Sequence, residues 1–149
     1  ALLHDVGKIY ELSFDRSFGY TTEGQLLGHI TIGIRIIEEK LRALPEFPPR
    51  LRTLLEHMVL SHHGQMEFGS PKVPLFAEAV LLHHLDDLDS KIECVRSAVA
   101  QDRQLEGEWT GYNQPMDRVL LKKERYLNGT PPAEPAAPDL KPPTVLLQE

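Results

Sequence analysis

The stretch TEGQLLGHITIGIRIIEEKLRAL, residues 22–44, carries the clearest structural signal in the chain. Its apolar side chains recur at intervals of three and four residues, which places them on one face of an α-helix. Thr22 and Gln25 precede this run at a spacing typical of a capping box. The apolar face comprises Leu27, Ile30, Ile34, Ile37, Leu41 and Leu44. The stretch therefore predicts a long amphipathic helix.

Further helices are predicted on both sides of a loop at residues 65–74. Pro48 and Pro49 suit a helix start, and apolar residues at helical spacing lead from there to His62 and Gly64. After the loop comes a longer stripe: Leu81, Leu85, Leu88, Ile92, Val95 and Val99. The opposite face of that helix carries Phe76, Ala79, His83, Asp86 and Ser90. A helix that is apolar on two sides is expected to be central.

The remaining segments are shorter. Residues 1–6 are predicted to be the last turns of a helix that Gly7 ends, and residues 8–22 an irregular segment or a short hairpin. Residues 116–127 are predicted to form a last short helix. From Asn128 onward, the proline-rich composition predicts an extended tail. The fold class is therefore all-α, with one helical domain over residues 1–127 and a tail over residues 128–149.

Composition limits the function classes. With 149 residues, 41% hydrophobic and 26% charged, the chain is typical of one globular domain. The single cysteine, Cys94, and the lack of a secretion signal favour a cytoplasmic setting, and no stretch is long enough to span a membrane. The net charge of −6 argues against bulk coating of nucleic acid. A local basic patch at Arg118, Lys122, Lys123 and Arg125 is the alternative to a solvated helix face, which is favoured.

Histidines and acids cluster at helix ends. Five of the seven histidines stand beside glycines, acids or helix ends, namely His4, His29, His62, His63 and His83. Each alone has a structural explanation, since His29 can border the core and the pair at 62–63 can cap a helix. A carboxylate beside a histidine, as at His4–Asp5, can bridge two cations. Four segments that each supply His or Asp predict a shared metal site, with Asp86, Asp87 and Asp89 all open as ligands.

These motifs resemble a known family. LLHDVGK is similar to the signature of the HD superfamily of metal-dependent phosphohydrolases, and GHITIG, LSHHG and HHLDDLDSK follow in the expected order. The segments EGQLLGHITIG, HHGQMEFGSPKVP, EAVLLHHLDDLDSK and EWTGYNQPMDRVLLKK resemble the HD domain of YhaM-type 3′-to-5′ exoribonucleases. The resemblance implies an HD-type helical bundle that hydrolyses phosphodiesters, with single-stranded RNA as substrate.

The resemblance also implies roles for individual residues. Asp5 would bridge two divalent cations and act in catalysis, and Lys8 would contact the scissile phosphate. Gly69 and Ser70 would border the substrate. The implied metal ligands are His4, Asp5 and Asp86 for the first ion and Asp5, His29, His62 and His63 for the second. The expected cations are Mn, Fe, Ni, Co, Zn or Mg, and we expect all these side chains to converge.

Departures from the family pattern leave alternatives open. The family supplies a further histidine upstream of the doublet, and the YhaM branch carries an N-terminal OB-fold, so the chain is expected to be truncated and of low activity. The second ion is accordingly expected to bind before the first. A nucleotide phosphohydrolase and a degenerate HD domain with a regulatory or interaction role are the alternative functions. A homo-oligomer is left open, and no membrane partner is expected.

Overall fold

The long predicted helix is present, but its N-cap is one residue earlier than the sequence indicates. In the computed structural model, which describes residues 1–14, 17–104 and 106–129, helix α2 spans Thr22–Leu41. Thr21 is its N-cap, since its hydroxyl accepts a hydrogen bond from the Gly24 amide at 2.9 Å. The capping box predicted at Thr22 and Gln25 is therefore wrong by one position, because the adjacent threonine occupies the cap.

The segment before α2 is more regular than predicted. A series of turns over residues 2–7 leads into the short helix α1, Lys8–Glu11. Gly7 caps the start of α1 with right-handed dihedrals of −64° and −22°, so the prediction that it ends a helix is wrong. Strands β1, Leu12–Ser13, and β2, Gly19–Tyr20, then form an antiparallel hairpin with Leu12 opposite Tyr20. The hairpin alternative for this insert is the one observed.

Two long helices follow α2. Helix α3 spans Pro49–Ser61, with its proline in the first turn as predicted, and helix α4 spans Ala77–Ala100. Between them, Met66–Phe68 form a single 3₁₀ turn. The buried apolar side chains of this region come from α2, α3 and α4: Ile30, Ile32, Ile37, Val59, Ala79 and Leu82. The predicted all-α fold class is confirmed.

Helix α4 turns a different face inward from the one its main apolar stripe predicts. Leu81, Leu85 and Leu88 are 58%, 51% and 54% exposed, whereas Ala79 and Leu82 are buried. The inward face is thus close to the one that carries His83 and Asp86. Helical periodicity identifies apolar faces but does not choose between two of them, and here the polar side chains lie on the inward side.

The described residues form two compact units, which divide between Cys94 and Val95. In the second unit, the predicted helix over residues 116–127 is wrong in extent. A 3₁₀ turn at Gln114–Met116 ends at Asp117, whose φ is +52°, and helix α5 covers only Lys123–Asn128. Between them the chain is extended, and the Thr110 amide donates to the Leu120 carbonyl at 2.9 Å. Long-range pairing therefore replaces the first turns of the predicted helix.

The sequence favours a solvated helix face over a binding patch for Arg118, Lys122, Lys123 and Arg125, and the structure contains neither, because α5 begins only at Lys123. Lys122 is buried and paired with Asp102, while Arg118 and Arg125 donate to the backbone carbonyls of Met116 and Gly107. Within the described ranges, no helix is both long and apolar enough to cross a bilayer. The tail predicted over residues 128–149 lies, from residue 130, outside the described residues, and the domain boundary at residue 127 stays a prediction.

Candidate metal centre

The end of α3 presents two histidines. His62 is the C-cap of the helix and fully buried, and its Nδ1 donates to the Val59 carbonyl at 2.7 Å. Nδ1 of His63 donates to the Phe68 carbonyl, also at 2.7 Å. Because a carbonyl oxygen only accepts hydrogen bonds, Nδ1 carries the proton in both rings. Nε2 of each neutral ring is then free to coordinate a cation, the tautomer that metal-binding histidines commonly use.

A kink in α2 presents His29. Gly28 has φ of +70° and ψ of 158°, a conformation that glycine adopts readily and that interrupts the helix. The His29 amide consequently lies at the start of a new helical stretch, where it donates to Glu11 Oε1 at 2.9 Å. The same carboxylate oxygen lies 3.2 Å from Nδ1 of His29. Glu11 thus both caps the helical stretch that begins at His29 and orients the His29 imidazole.

The turn before α1 presents His4 and Asp5. Nδ1 of His4 is hydrogen-bonded to the Ala1 carbonyl, and its Nε2 lies 3.1 Å from Asp86 Oδ1 on α4. Nε2 also lies 3.5 Å from Asp5 Oδ2. Both ring nitrogens of His4 therefore face oxygen atoms, and a proton or a cation has to lie between Nε2 and the two carboxylates.

Asp5 lies at the middle of the cluster. Its Oδ1 is 3.5 Å from His29 Nε2 and 3.7 Å from His62 Nε2, while its Oδ2 accepts a hydrogen bond from Lys8 Nζ at 2.6 Å. Two ligand atoms of one tetrahedral metal, each about 2.1 Å from it, lie about 3.4 Å apart. The separations around Asp5 Oδ1 are close to this value and exceed those of ordinary hydrogen bonds.

The ligand atoms form two groups that share His62. In each group the atoms all lie within 4.8 Å of one another; the groups are His29, His62 and His63, and His4, Asp5 and His62. Asp86 belongs to neither group and reaches the cluster through His4. The structure thus brings all six predicted ligands together, and their roles as ligands remain predictions.

The electrostatics favour the forms that bind cations. Burial of the Asp5 carboxyl disfavours its charge, but the hydrogen bond and the positive charge of Lys8 outweigh burial and hold the pKa of Asp5 well below its usual range. Burial lowers the pKa of His63, and the nearby rings of His62 and His29 lower it further. Asp5 is therefore anionic and His63 neutral near neutral pH, as metal coordination requires.

The lack of hydrogen-bond partners for several buried ligand atoms also fits a site for a divalent metal. Among the described residues, four buried side-chain atoms have no hydrogen-bond partner, and three of them, Asp5 Oδ1, His29 Nε2 and His62 Nε2, lie together here; the fourth, Asp102 Oδ2, is ion-paired with Lys122. An unpaired buried polar atom costs about 1–3 kcal/mol, so three at one point are unusual in a structural core. Nitrogen and carboxylate donors of this kind suit Mn, Fe, Ni, Co or Zn.

Two residues that were not predicted as ligands, Glu11 and His83, support the cluster from behind. Glu11 is buried, and nothing in the local sequence distinguishes it from other acids. His83 belongs to the histidine cluster noted in the sequence, and its Nδ1 donates to the His62 carbonyl at 2.9 Å. Its ring lies against Gly64, where an added Cβ would be 2.2 Å from the imidazole. His83 therefore fixes the turn that carries His62 and His63.

Of the residues predicted to contact substrate, Lys8 lines a cavity and Gly69 and Ser70 do not. Lys8 lines a cavity of about 310 Å³ beside the cluster, together with Phe68, His83 and Asp86. Ser70 is 2% exposed, and its hydroxyl donates to the Leu60 carbonyl at 2.9 Å. Gly69 ends the 3₁₀ turn with φ of +85°. The described lining of this cavity includes neither Gly69 nor Ser70, so their contact with substrate stays a prediction, and Phe68 is the residue of that segment that reaches the cavity.

Comparison with known proteins agrees with this geometry. The family model described as "HD domain" matches residues 1–91. A 3′-5′ exoribonuclease YhaM of Bacillus licheniformis is 44% identical over 109 residues, which is 73% of this chain and 34% of the relative. The chain thus spans about a third of the length of that relative. No solved structure gives a significant match. The matched segment contains all the converging histidines and acids, and the chain belongs to the HD domain family.

Proposed function

We propose that this chain is the hydrolytic domain of a metal-dependent phosphodiesterase that removes nucleotides from the 3′ end of single-stranded RNA. The observation that carries the proposal is the convergence of Asp5, His29 and His62 with three buried, unpartnered ligand atoms. The name of the Bacillus licheniformis relative supports RNA as the substrate and the 3′ end as the point of attack.

The chain's own side chains have separable tasks. His29, His62 and His63 would hold one cation, and His4 and Asp5, with Asp86 beside them, a second. When bound, divalent cations supply Lewis acidity at the phosphoryl group and activate water for attack on phosphorus. Glu11, Val59 and Phe68 hold the second ring nitrogens, so the histidines need little reorganisation.

Lys8 is the cationic side chain at the cavity wall. Its Nζ lies 2.6 Å from Asp5 Oδ2, and its side chain is 44% exposed, so it can contact a phosphate oxygen without losing Asp5. Hydrolysis adds water to phosphorus and breaks the bond to the preceding nucleotide's 3′ oxygen, which takes up a proton. The products are a nucleoside 5′-monophosphate and an RNA shorter by one residue.

The direct test is incubation of the 149-residue chain with 5′-labelled single-stranded RNA and Mn²⁺. We expect a ladder shortened from the 3′ end and release of nucleoside 5′-monophosphates, both stopped by a chelator. Hydrolysis of mononucleotides with the RNA left intact would favour the nucleotide phosphohydrolase. Metal binding without hydrolysis of either substrate would favour a regulatory domain.

We also propose that the group of three histidines binds its cation first. Three imidazoles fixed by their Nδ1 hydrogen bonds form a more complete neutral donor set than His4 and Asp5. Titration with Mn²⁺ or Zn²⁺ followed by calorimetry should therefore resolve two unequal affinities. Loss of the tighter one in His63→Ala, with the weaker one kept, would identify the group. Two equal affinities would contradict the proposal.

A further inference from the structure

The cavity beside the metal centre has walls of two chemical kinds. Lys8, His63 and Asp86, which belong to the ligand cluster or contact it, line the cavity together with Phe68, His83 and Ser90. Its volume of about 310 Å³ is at the small end of the range for ligand pockets, about 300–1,000 Å³. A space of this size suits a single nucleotide unit rather than a duplex.

Phe68 differs from other exposed apolar residues in how its backbone is held. Exposed aromatic rings are common and need no explanation by themselves. The Phe68 carbonyl, however, accepts the hydrogen bond from Nδ1 of His63 at 2.7 Å, and its amide donates to the Gln65 carbonyl at 3.2 Å. The buried Ser70 hydroxyl anchors the following residues to α3 through Leu60. A loop held by these hydrogen bonds thus places Phe68, which is 64% exposed, in the lining of the cavity.

The charges that line the cavity indicate which part of a ligand can contact Phe68. Asp86 and Asp87 line the cavity with one lysine, Lys8, so its described lining is not basic before a cation is present. A phosphate group is therefore expected at the metal side. A flat aromatic group in the part of the ligand that reaches Phe68 would gain from stacking on the ring.

We propose that Phe68 is a stacking platform for the 3′-terminal nucleobase of the substrate. This inference rests on the proposed function, because it takes the scissile phosphate to lie at the metal centre. Stacking is tolerant of sequence, since every base has an aromatic face, and removal of one such contact weakens binding about 5- to 150-fold, equivalent to about 1–3 kcal/mol. The platform would hold any terminal base while the phosphate is positioned beside Lys8.

The test compares variants on two RNA substrates that differ at one position. One is an ordinary single-stranded oligomer, and the other is the same oligomer with an abasic 3′-terminal residue. Phe68→Ala should raise KM for the ordinary oligomer about 5- to 150-fold with little change in kcat, and should leave KM for the abasic oligomer unchanged. Phe68→Trp should restore the wild-type KM.

Met66→Ala is the matched control. Met66 lies on the same 3₁₀ turn and is 66% exposed, but it is not part of the described lining of the cavity. Its KM values should equal those of the wild type. Equal impairment of both substrates by Phe68→Ala, an effect of Met66→Ala as large, or failure of Phe68→Trp to rescue would each overturn the platform.

A binding measurement separates this inference from the proposed function. With Mn²⁺ present, calorimetry compares adenosine 5′-monophosphate with ribose 5-phosphate. The wild type should bind the nucleotide more tightly, and Phe68→Ala should bind both alike. If no RNA is hydrolysed but this preference is found and is lost in Phe68→Ala, the exonuclease proposal fails and the platform stands. If the wild type binds the two ligands equally, the platform fails whatever the activity.

Discussion

Two clusters of buried charge in this chain are built differently. In the second unit, Lys122 is 7% exposed and donates to the Gln104 carbonyl at 2.6 Å. Its partner Asp102 accepts a hydrogen bond from the Gly111 amide at 3.3 Å through its other oxygen. Asp102 Oδ2 makes no regular hydrogen bond, but the Lys122 ammonium is its counter-charge. In the metal centre, by contrast, the buried atoms Asp5 Oδ1, His29 Nε2 and His62 Nε2 have neither a hydrogen-bond partner nor a lysine or arginine beside them.

The contrast shows how a structural charge differs from a functional one. A buried ion is tolerated when the fold supplies its counter-charge and hydrogen bonds, as it does for Lys122. Around Asp5 the fold fixes the far side of each imidazole and leaves the near side unpaired. We infer that changes to the first cluster alter stability and that changes to the second alter metal binding and catalysis.

Asp5→Asn gives the largest expected effect. The amide cannot supply a negative oxygen between His29 and His62, and loss of several kcal/mol of charge stabilisation should slow RNA hydrolysis at least about 100-fold. The variant should still fold, because asparagine has the same shape, but its melting temperature without metal should fall somewhat, because the ionised carboxylate with its lowered pKa and its ion pair with Lys8 is lost. Rate assays and thermal unfolding measure the two effects. Asp89→Asn, on exposed α4 surface, is the control, and an Asp5→Asn enzyme of normal rate would remove Asp5 from the mechanism.

Glu11→Gln tests the support behind His29. The amide oxygen can still accept from the His29 backbone, so the fold should persist, but the imidazole loses its anionic partner. Outer partners of this kind typically change metal affinity or activity about 10- to 100-fold. Metal titration by calorimetry should show the weakening, with the exposed Glu23→Gln as control. Equal affinities in wild type and Glu11→Gln would mean that the carboxylate serves only as a helix cap.

Lys122→Met tests the buried ion pair between Lys122 and Asp102. Removal of the ammonium leaves Asp102 without its counter-charge, so the melting temperature should fall by several degrees while metal affinity is unchanged. The double variant Lys122→Met, Asp102→Asn should recover part of the loss, as expected for coupled residues. Lys123→Met, at the neighbouring exposed lysine, is the control. A fall in metal affinity without a change in melting temperature would contradict the structural role given to the Lys122–Asp102 pair.

Acidification gives the smallest expected effect. The hydrogen bond with Lys122 is the main cause that lowers the pKa of Asp102 below its usual value. A carboxyl with a lowered pKa in the folded state stabilises it fully above the unfolded pKa, about 3.9, and loses that contribution as pH falls through the folded pKa. The stability difference between wild type and Asp102→Asn should thus be constant near neutrality and shrink below about pH 4. Thermal unfolding across this range measures it, and a constant difference would mean that Asp102 is not preferentially ionised in the folded state.

Local sequence patterns predicted the helices of the first unit well. The start of α3 at paired prolines and the spacing of apolar residues along α2 and α4 depend on neighbours within one or two turns. The predictions of local structure failed where contacts between residues distant in sequence determine the backbone conformation. The kink at Gly28 exists beside a carboxylate from α1, and residues 118–121 are extended because residues near Thr110 pair with them.

Motif order and helical spacing are properties of the chain alone, so they were enough to predict the family, the helical class and the histidines and acids of the site. The packing of the helices is needed to learn which face of α4 is buried, that Glu11 lies behind His29, and that Phe68 lines the cavity. His4 and Asp86 are 82 residues apart yet 3.1 Å apart in space. Contacts of this kind depend on how helices pack, and no local pattern encodes which buried nitrogen is left without a partner.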